Sequence, residues 1–150
     1  MEKLPMTDAD MVRFTKAVKG IKFFAAMNMG LLEKILNRIG YYRYGKGEKV
    51  CRQGEIGDAF YVVSEGRLSV KVSSALIFSK KLAELGPGGC FGEMSLLERK
   101  PRNATVVCEE TSKLFALTFE HFDRVLNENP AFREEIKKLA AERKFERERG

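Results

Sequence analysis

The sequence predicts an α+β protein, with helices on both sides of a central β unit. Helical periodicity fills residues 1–40 and returns at 119–150, whereas residues 41–118 consist of short apolar runs separated by glycine turns. Many short strands with regular turn signals between them indicate a compact barrel or sandwich. At 150 residues and without an internal repeat, the chain is expected to form a single domain over 1–150.

Two helices are expected within residues 1–40. Thr7 stands three residues before Asp10, which resembles a capping box, and a helix with an apolar face follows it. A second helix follows Asn28, because apolar residues recur there at about 3.6 residues per turn, and Gly40 is its expected stop. The apolar positions are Met11, Phe14 and Val18 in the first helix and Leu31, Leu32, Ile35, Leu36 and Ile39 in the second.

The β unit over residues 41–118 is predicted from alternation and turn signals. Apolar and polar residues alternate from Leu68 to Val72, which is the pattern of a strand with one buried face. This pattern puts Ser69 and Lys71 on the solvent side of the strand. The other expected strands are the apolar runs KVCR, AFYVVS, ATVV and KLFAL.

Helices are expected again over residues 119–150. Thr118 is suited to be an N-cap, and Pro130 after Asn129 is suited to the first position of a second helix. The apolar faces consist of Phe119, Phe122, Val125 and Leu126, then of Phe132, Ile136, Leu139 and Ala140.

Composition weighs against several function classes. With one histidine and three widely spaced cysteines, neither a zinc site nor histidine-based catalysis is expected. His121 lies in a helical pattern and is expected to be a partly buried or capping residue. The absence of a signal-peptide pattern and of a spanning apolar run favours a cytoplasmic location. The net charge of +6 permits an anionic ligand without indicating one.

Two glycine-rich segments come close to phosphate-binding patterns and fail them. GYYRYGKG at residues 40–47 lacks the Ser or Thr after the lysine, and it carries tyrosines where a Walker A loop needs small residues. GPGGCFG at residues 86–92 has Phe91 at the position of the third glycine of GxGxxG. The first segment is expected to be a strand flanked by turns, and the glycines of the second are expected to make a tight β turn.

The segment CFGEMSLLERKPRNATV, residues 90–106, carries the strongest chemical signal. Gly92 permits close backbone approach, a short helical turn at Met94–Leu97 would present free N–H groups, and the fork of Arg102 suits a phosphate. Glu93 only accepts hydrogen bonds when ionised, so its partner here would be a hydroxyl. A sugar phosphate satisfies these elements together. The alternative is an internal Glu93–Arg102 ion pair that pins a loop.

FGEMSLLERKPRNATV, residues 91–106, resembles the phosphate-binding cassette of cyclic nucleotide-binding domains. RQGEIGDAFYVVSEGRLSV, residues 52–70, resembles the strand-turn-strand of the same family, and the resemblance covers nearly the whole chain from about residue 20. It implies an antiparallel β-roll, jelly-roll-like, flanked by N-terminal helices and C-terminal lid helices. It also implies a cyclic nucleotide ligand, with no metal or other cofactor, no direct nucleic-acid contact and no membrane insertion of this segment.

The resemblance also implies roles for single residues of the cassette. Arg102 would bind the cyclic phosphate, helped by backbone amides near Ser95 and Ala104. Gly92 and Glu93 would take the ribose 2′-OH.

The base end of the ligand is assigned less sharply by the same resemblance. Val70 and Val72, on the alternating strand, would pack against the purine, and Met94 and Asn103 belong to the ligand-binding cassette. In this family a Thr or Ser after the cassette arginine is associated with cGMP contact and an Ala with cAMP preference. Asn103 is neither, so cAMP is favoured and cGMP stays open. The candidate lid residues over the base are Lys137, Lys138 and Arg143.

The predicted function is a sensor without catalytic residues, in which ligand binding moves the C-terminal helices and controls an attached or partner effector such as a channel or kinase. One alternative is the sensor fragment of a DNA-binding transcription regulator of the catabolite-activator type. Residues 131–150 hold seven basic and five acidic side chains, a balance that disfavours a strong DNA-binding stripe. The other alternative is a degenerate domain used only for protein contacts, which the intact Gly92, Glu93 and Arg102 disfavour.

Overall fold

The computed structural model describes residues 1–73 and 79–149, except for the side chains of residues 22, 23, 139, 140 and 142–149. Along these residues, a mainly helical segment comes first, a block of strands follows, and two helices come last. The first block is β1 (Glu2–Leu4), α1 (Asp8–Val18), α2 (Lys22–Ala25) and α3 (Met29–Leu36). The second is β2 (Gly40–Tyr44), β3 (Lys49–Cys51), β4 (Ala59–Glu65), β5 (Leu68–Ser73), β6 (Ser79–Leu85), β7 (Cys90–Phe91), a 3-10 turn (Glu93–Leu96), β8 (Thr105–Cys108) and β9 (Ser112–Thr118). The third is α4 (Phe119–Asn127) and α5 (Pro130–Arg149).

The strands form two antiparallel sheets. One has the order β1-β2-β9-β4-β7, and the other has the order β3-β8-β5-β6. Buried side chains from both sheets meet in an inter-sheet core, which consists of Tyr44, Cys51, Val63, Leu68, Val106, Cys108 and Leu114. The predicted antiparallel β-roll between helical segments is confirmed.

A second core, the helix-side core, lies between the five-stranded sheet and the helices. It contains Phe60 and Val62 of β4, which alternate with Tyr61 and Val63 on the inter-sheet side. Because β4 is covered on both faces, its sequence AFYVV is an unbroken apolar run. The core also takes Leu96 from the 3-10 turn and Phe122, Val125, Leu126, Phe132 and Ile136 from α4 and α5.

The two predicted N-terminal helices begin where the sequence predicts, and the second of them ends earlier than expected. The capping box at α1 is confirmed, since Thr7 Oγ1 accepts from Asp10 N at 3.2 Å and Thr7 N donates to Asp10 Oδ2 at 2.9 Å. Asn28 caps α3 through its side chain, which accepts from Leu31 N at 2.9 Å. The stop at Gly40 was placed too late, because α3 ends at Leu36 and Gly40 already belongs to β2.

Four elements were not predicted from the sequence, and one of them is the two-residue strand β7 (Cys90–Phe91), where only a tight turn was expected. The short helix α2 and the strand β1 lie within the stretch predicted to hold two helices, and β1 pairs antiparallel with β2. Strand β6 is exposed along most of its length, so it lacks the apolar alternation that marks a strand.

The alternation in β5 is less regular than predicted. Leu68 is fully buried as expected, but Ser69, placed on the solvent side by the pattern, is also 0% exposed. Ser69 pairs with Glu84 of β6 on one side and with Val107 of β8 on the other, and the register between β5 and β6 shifts only after it, between Val70 and Lys71.

The C-terminal helices follow the prediction at their starts. Thr118 caps α4, since its Oγ1 accepts from His121 N at 3.2 Å, and Pro130 is the first residue of α5. His121 is half-buried, as expected from its position in the helix. Leu139 and Ala140, predicted to face inward, lie outside the described side chains.

Candidate functional site

The segment predicted to bind a ligand begins with a sharp turn after β7. Gly92 has a φ of 81°, in the left-handed region that glycine adopts without strain. The 3-10 turn Glu93–Leu96 follows, and Ser95 N donates to Gly92 O at 3.0 Å. The predicted helical turn therefore exists, one residue earlier than the expected Met94–Leu97.

The loop after this turn is held by backbone hydrogen bonds to the segment between β3 and β4. Gly57 N donates to Lys100 O at 2.8 Å, and Arg102 N donates to Glu55 O at 2.7 Å. Gly54 N completes the clamp by donating to Arg102 O at 2.8 Å. Both backbone groups of Arg102 are thus fixed, which limits where its side chain can go.

The guanidinium of Arg102 lies against two glycines. Its Nη2 donates to Ala59 O at 2.7 Å, and a Cβ placed on Gly92 would overlap its Nη1. A Cβ on Gly57 would lie 2.9 Å from Arg102 Nε and 2.5 Å from Ser95 Oγ. The structure therefore brings together Arg102, Gly92 and Ser95, three of the residues that the sequence assigns to one site.

An aromatic pair lies beside this guanidinium. Tyr61 stacks on Phe91 with ring centroids 5.0 Å apart, and Arg102 Cζ lies 6.0 Å from the centroid of the Tyr61 ring. Burial raises the pKa of Tyr61 to about 12, and the positive charge of Arg102 opposes that rise. Tyr61 is therefore a neutral phenol at physiological pH, and its ring face is available to a cation.

The other cassette residues differ in exposure. Glu93, Met94 and Ala104 are half-buried, whereas Asn103 is exposed. Burial raises the pKa of the Cys90 thiol to about 11, and the charge of Glu93 contributes to that rise. Glu93 is the first residue of the 3-10 turn and follows Gly92 directly.

The two valines assigned to the base lie on β5, next to the end of the cassette. Val70 pairs with Val106 of β8 and packs against the inter-sheet core, while Val72 pairs with Lys80 of β6. Both are half-buried, so each keeps surface that a ligand could cover.

The candidate lid residues lie on α5, apart from this cluster. Lys137 and Lys138 are exposed, and Lys137 Nζ lies 3.6 Å from Glu134 Oε1 on the same helix. The side chain of Arg143 lies outside the described part of the chain. Helix α5 packs on α2 and α4, and α4 packs on the 3-10 turn of the cassette. Among the described side chains, no hydrogen bond or ion pair joins Lys137 or Lys138 to Arg102.

Sequence reasoning missed the contribution of Gln53. Its backbone N donates to Thr105 Oγ1 at 2.9 Å, and its side-chain amide exchanges two hydrogen bonds with the backbone of Ser73. Gln53 precedes Gly54 in a turn that the sequence did indicate, but no local pattern shows which strand a glutamine side chain will reach.

Other functional features can be stated for the described ranges. Within 1–73 and 79–149, no group of histidine, cysteine or acidic side chains could hold a metal ion. Over the same part of the chain, no helix has both the length and the apolar character required to span a membrane.

Comparison with known proteins places this cassette in a family. Residues 42–129 match the cyclic nucleotide-binding domain family. A cyclic nucleotide-gated potassium channel from Mesorhizobium japonicum is 33% identical over 135 residues, which cover 90% of this chain and 36% of the channel. A cAMP-dependent protein kinase regulatory subunit from Blastocladiella emersonii is 32% identical over 152 residues, covering 96% of this chain and 38% of that protein.

Solved structures with the same architecture include sensors of other proteins. The N-terminal domain of a transcriptional regulator from Streptomyces coelicolor A3(2) superposes with a TM-score of 0.75 at 26% identity, covering 89% of this chain and 92% of that one. Catabolite activator protein from Thermus thermophilus superposes with a TM-score of 0.66 at 29% identity, covering 84% of this chain and 59% of that one.

The chain spans little more than a third of the two relatives from Mesorhizobium and Blastocladiella, at 36% and 38% of their length. The matched residues 42–129 nevertheless contain strands β3 to β9 and the whole cassette at residues 91–106. The chain therefore belongs to the cyclic nucleotide-binding domain family, whose members are ligand-binding regulatory domains.

Proposed function

We propose that this chain is a cytoplasmic sensor that binds a cyclic nucleotide, cAMP in preference to cGMP, and passes the binding event to its C-terminal helices without bond chemistry. The placement of Arg102 carries this proposal. Its guanidinium is oriented by the Ala59 carbonyl and lies against Gly92, at the N-terminal end of the 3-10 turn. A preorganised guanidinium loses little freedom when it binds a phosphate in two-pronged fashion.

The remaining cassette residues complete a site for a ribose cyclic phosphate. Backbone amides near Ser95 and Ala104 would donate to the phosphate oxygens beside Arg102. Gly92 and Glu93 would bind the ribose 2′-OH, since a carboxylate accepts the hydroxyl hydrogen and would repel the phosphate itself. Met94 lies between Glu93 and Ser95 in the same 3-10 turn.

The base is proposed to lie against β5. Val70 and Val72 are half-buried, and purine contact would remove their exposed surface from water. Asn103 carries no hydroxyl of the kind associated with cGMP contact, which favours cAMP. A cation on α5, from Lys137, Lys138 or Arg143, is proposed to cover the other face of the base.

Coupling to the C-terminal helices is proposed to run through shared apolar packing. Leu96 of the cassette turn is buried in the helix-side core together with Phe122 of α4 and Ile136 of α5. The Arg99 guanidinium lies 5.7 Å from the centroid of the Phe119 ring, at the first residue of α4. A shift of the cassette on phosphate binding would change the packing of α4, provided that the ligand binds one arrangement more tightly than the other.

The effector is proposed to be a channel or a kinase. The Mesorhizobium and Blastocladiella relatives are a potassium channel and a kinase regulatory subunit, and this chain corresponds to about a third of each. A transcription regulator is the alternative suggested by the Streptomyces structure.

Calorimetric titration of the chain with cAMP and with cGMP tests the proposal. We expect both to bind, cAMP more tightly. In Arg102→Ala a phosphate charge loses its partner, which costs on the order of 2–5 kcal/mol and weakens binding roughly thirtyfold to a few thousandfold.

Lys100→Ala is the matched control, because Lys100 lies in the same loop, is exposed, and pairs with Glu98 rather than contacting Gly92 or α4. We expect its ligand affinity to stay near that of the wild type. Unchanged affinity in a folded Arg102→Ala protein, or no binding of either nucleotide by the wild type at micromolar concentration, contradicts the proposal.

A further inference from the structure

The turn at Gln53 and Gly54 connects the two ends of the proposed ligand site. Gly54 N donates to the carbonyl of Arg102, and Gln53 N donates to Thr105 Oγ1, so this dipeptide is bonded to the cassette at two points. The side chain of Gln53 extends in the other direction, to the last residue of β5.

The Gln53 amide takes the place of a missing strand at the end of β5. Pairing between β5 and β8 ends with Lys71 opposite Thr105, so Ser73 lies beyond the last pair on that side. There Gln53 Nε2 donates to Ser73 O at 3.1 Å, and Ser73 N donates to Gln53 Oε1 at 2.8 Å. One side-chain amide thus reproduces the reciprocal pair of bonds that a neighbouring peptide would make in an antiparallel ladder.

The position of this contact determines what it controls. Ser73 follows Val72 directly, and Val72 is one of the two residues proposed to face the purine. Thr105 and Arg102 lie on the phosphate side. The register of β5 against β6 is already irregular after Val70, so the end of β5 gains a second support from Gln53.

We infer that Gln53 is a positioning residue, which holds the base-facing end of β5 in register with the phosphate-binding cassette. This inference rests on the proposed function, since it assumes that one ligand contacts Arg102 and Val72 at the same time. Gln53 itself touches neither the phosphate nor the base in this arrangement; it acts through Ser73 and Thr105.

Because Gln53 is exposed to water, its role in positioning can be distinguished from a contribution to the stability of the whole fold. Gln53 is an exposed residue, and its hydrogen bonds compete with water, so they contribute little to the free energy of unfolding. Their effect is to restrict the relative placement of two segments, which matters when a rigid ligand must meet both.

The test compares two ligands across a small set of variants. The ligands are cAMP and ribose 3′,5′-cyclic phosphate, which carries the same cyclic phosphate without a base. In Gln53→Ala we expect the affinity for cAMP to fall about tenfold, and the affinity for the base-free ligand to change less than about twofold. Unfolding by urea is expected to be nearly unchanged.

Two further variants sharpen the result. Gln53→Glu keeps the size and the acceptor but loses the donor, and its charge would repel Ser73 O, so we expect a loss for cAMP at least as large as in the alanine variant. Arg52→Ala, at the neighbouring exposed position, is the control and should bind both ligands as the wild type does. If Gln53→Ala does not fold, the comparison is made with Gln53→Glu.

The outcomes separate this inference from the proposed function. Equal losses for both ligands, or no loss for cAMP in Gln53→Ala and Gln53→Glu, overturn the positioning role while the site stands. If the wild type binds neither cAMP nor the base-free ligand, the proposed function is wrong, and the inference is wrong with it. A loss confined to the ligand that carries a base supports the positioning role.

Discussion

The cassette at residues 91–106 and helix α5 differ in the contacts that the structure describes between each of them and the rest of the chain. The backbone of Arg102 is bonded on both its N–H and its carbonyl, and its guanidinium lies between Gly57 and Gly92. Among the described side chains of α5, Phe132 and Ile136 are buried, while Lys137 and Lys138 are exposed. The phosphate side of the proposed site is thus built in advance, whereas the lid candidates Lys137 and Lys138 are side chains exposed to solvent.

This contrast suggests how a small ligand could produce a large change. A prebuilt phosphate site supplies affinity at low ordering cost, because few side chains must be immobilised when the ligand binds. In the proposed function, α5 would exchange between two arrangements that differ by only a few kcal/mol. Each prediction below alters one side of this contrast and leaves the other intact.

The largest effect, after that of Arg102→Ala, is expected in Gly92→Ala. The added Cβ meets Arg102 Nη1 and must displace it, and the φ of 81° is strained for alanine by roughly 1–2 kcal/mol. We expect cAMP affinity, measured by calorimetry, to fall about tenfold to a hundredfold.

Gly88→Ala is the matched control for this change. Gly88 has a φ of 87° but open space around the position of a Cβ, so it carries the same backbone strain without the contact to Arg102. Gly92→Ala should lose more stability in urea than Gly88→Ala, because its Cβ also meets the Ala59 carbonyl oxygen at 2.7 Å, and only Gly92→Ala should lose affinity. Equal affinities in the two variants would show that the close packing on Arg102 has no part in binding.

An intermediate effect is expected where α5 is attached to α4. Arg133 Nη2 donates to Asp123 Oδ1 at 3.0 Å and to Asp123 O at 3.2 Å, and it also contacts Asn127 Oδ1. Arg133→Ala removes this clamp, and we expect amide hydrogen exchange in α5 to become about fivefold faster, as for a loss of about 1 kcal/mol.

Arg124→Ala provides the comparison for the clamp. Arg124 pairs with Glu120 within α4 at 3.4 Å, so its loss removes an ion pair without separating two helices. Its exchange rates in α5 should match the wild type. If Arg124→Ala and Arg133→Ala accelerate exchange equally, the clamp does not hold α5 in place.

The smallest effect is expected for the lid candidates. A cation over the face of a base at an exposed site contributes about 0.5–1 kcal/mol, or roughly a twofold to fivefold change in affinity. Replacing Lys137, Lys138 and Arg143 by alanine one at a time, with cAMP titration of each, should give such a loss in one variant. No loss in any of the three would remove these residues from the lid.

The start of each long helix could be predicted because its signals are local. Thr7, Thr118 and Pro130 each fix a helix start through their own side chain or ring, and all three are found where expected. Strand β1 could not be predicted, because Glu2–Leu4 has no alternating apolar pattern and becomes a strand only by pairing with β2, about forty residues away.

The residues of the proposed site also fall into those that could be predicted from the sequence and those that could not. Gly92, Glu93 and Arg102 could be recognised together because one continuous segment carries them. The burial of Ser69 and the reach of Gln53 to Ser73 depend on how β5 lies against its neighbours, and the alternation of the sequence does not encode either. Local motifs therefore identified the cassette, while the supports around it required the structure.

The break between α4 and α5 bears on the proposed coupling. Pro130 has no N–H to donate to the preceding turn, so the hydrogen-bond ladder of α4 stops before α5, and under the proposed coupling α5 would turn as a unit about residues 128–130. Its 20 residues make an arm roughly 30 Å long, at 1.5 Å per residue. Under that proposal, a rotation of about 20° about residues 128–130 would move the far tip of α5 by about 10 Å.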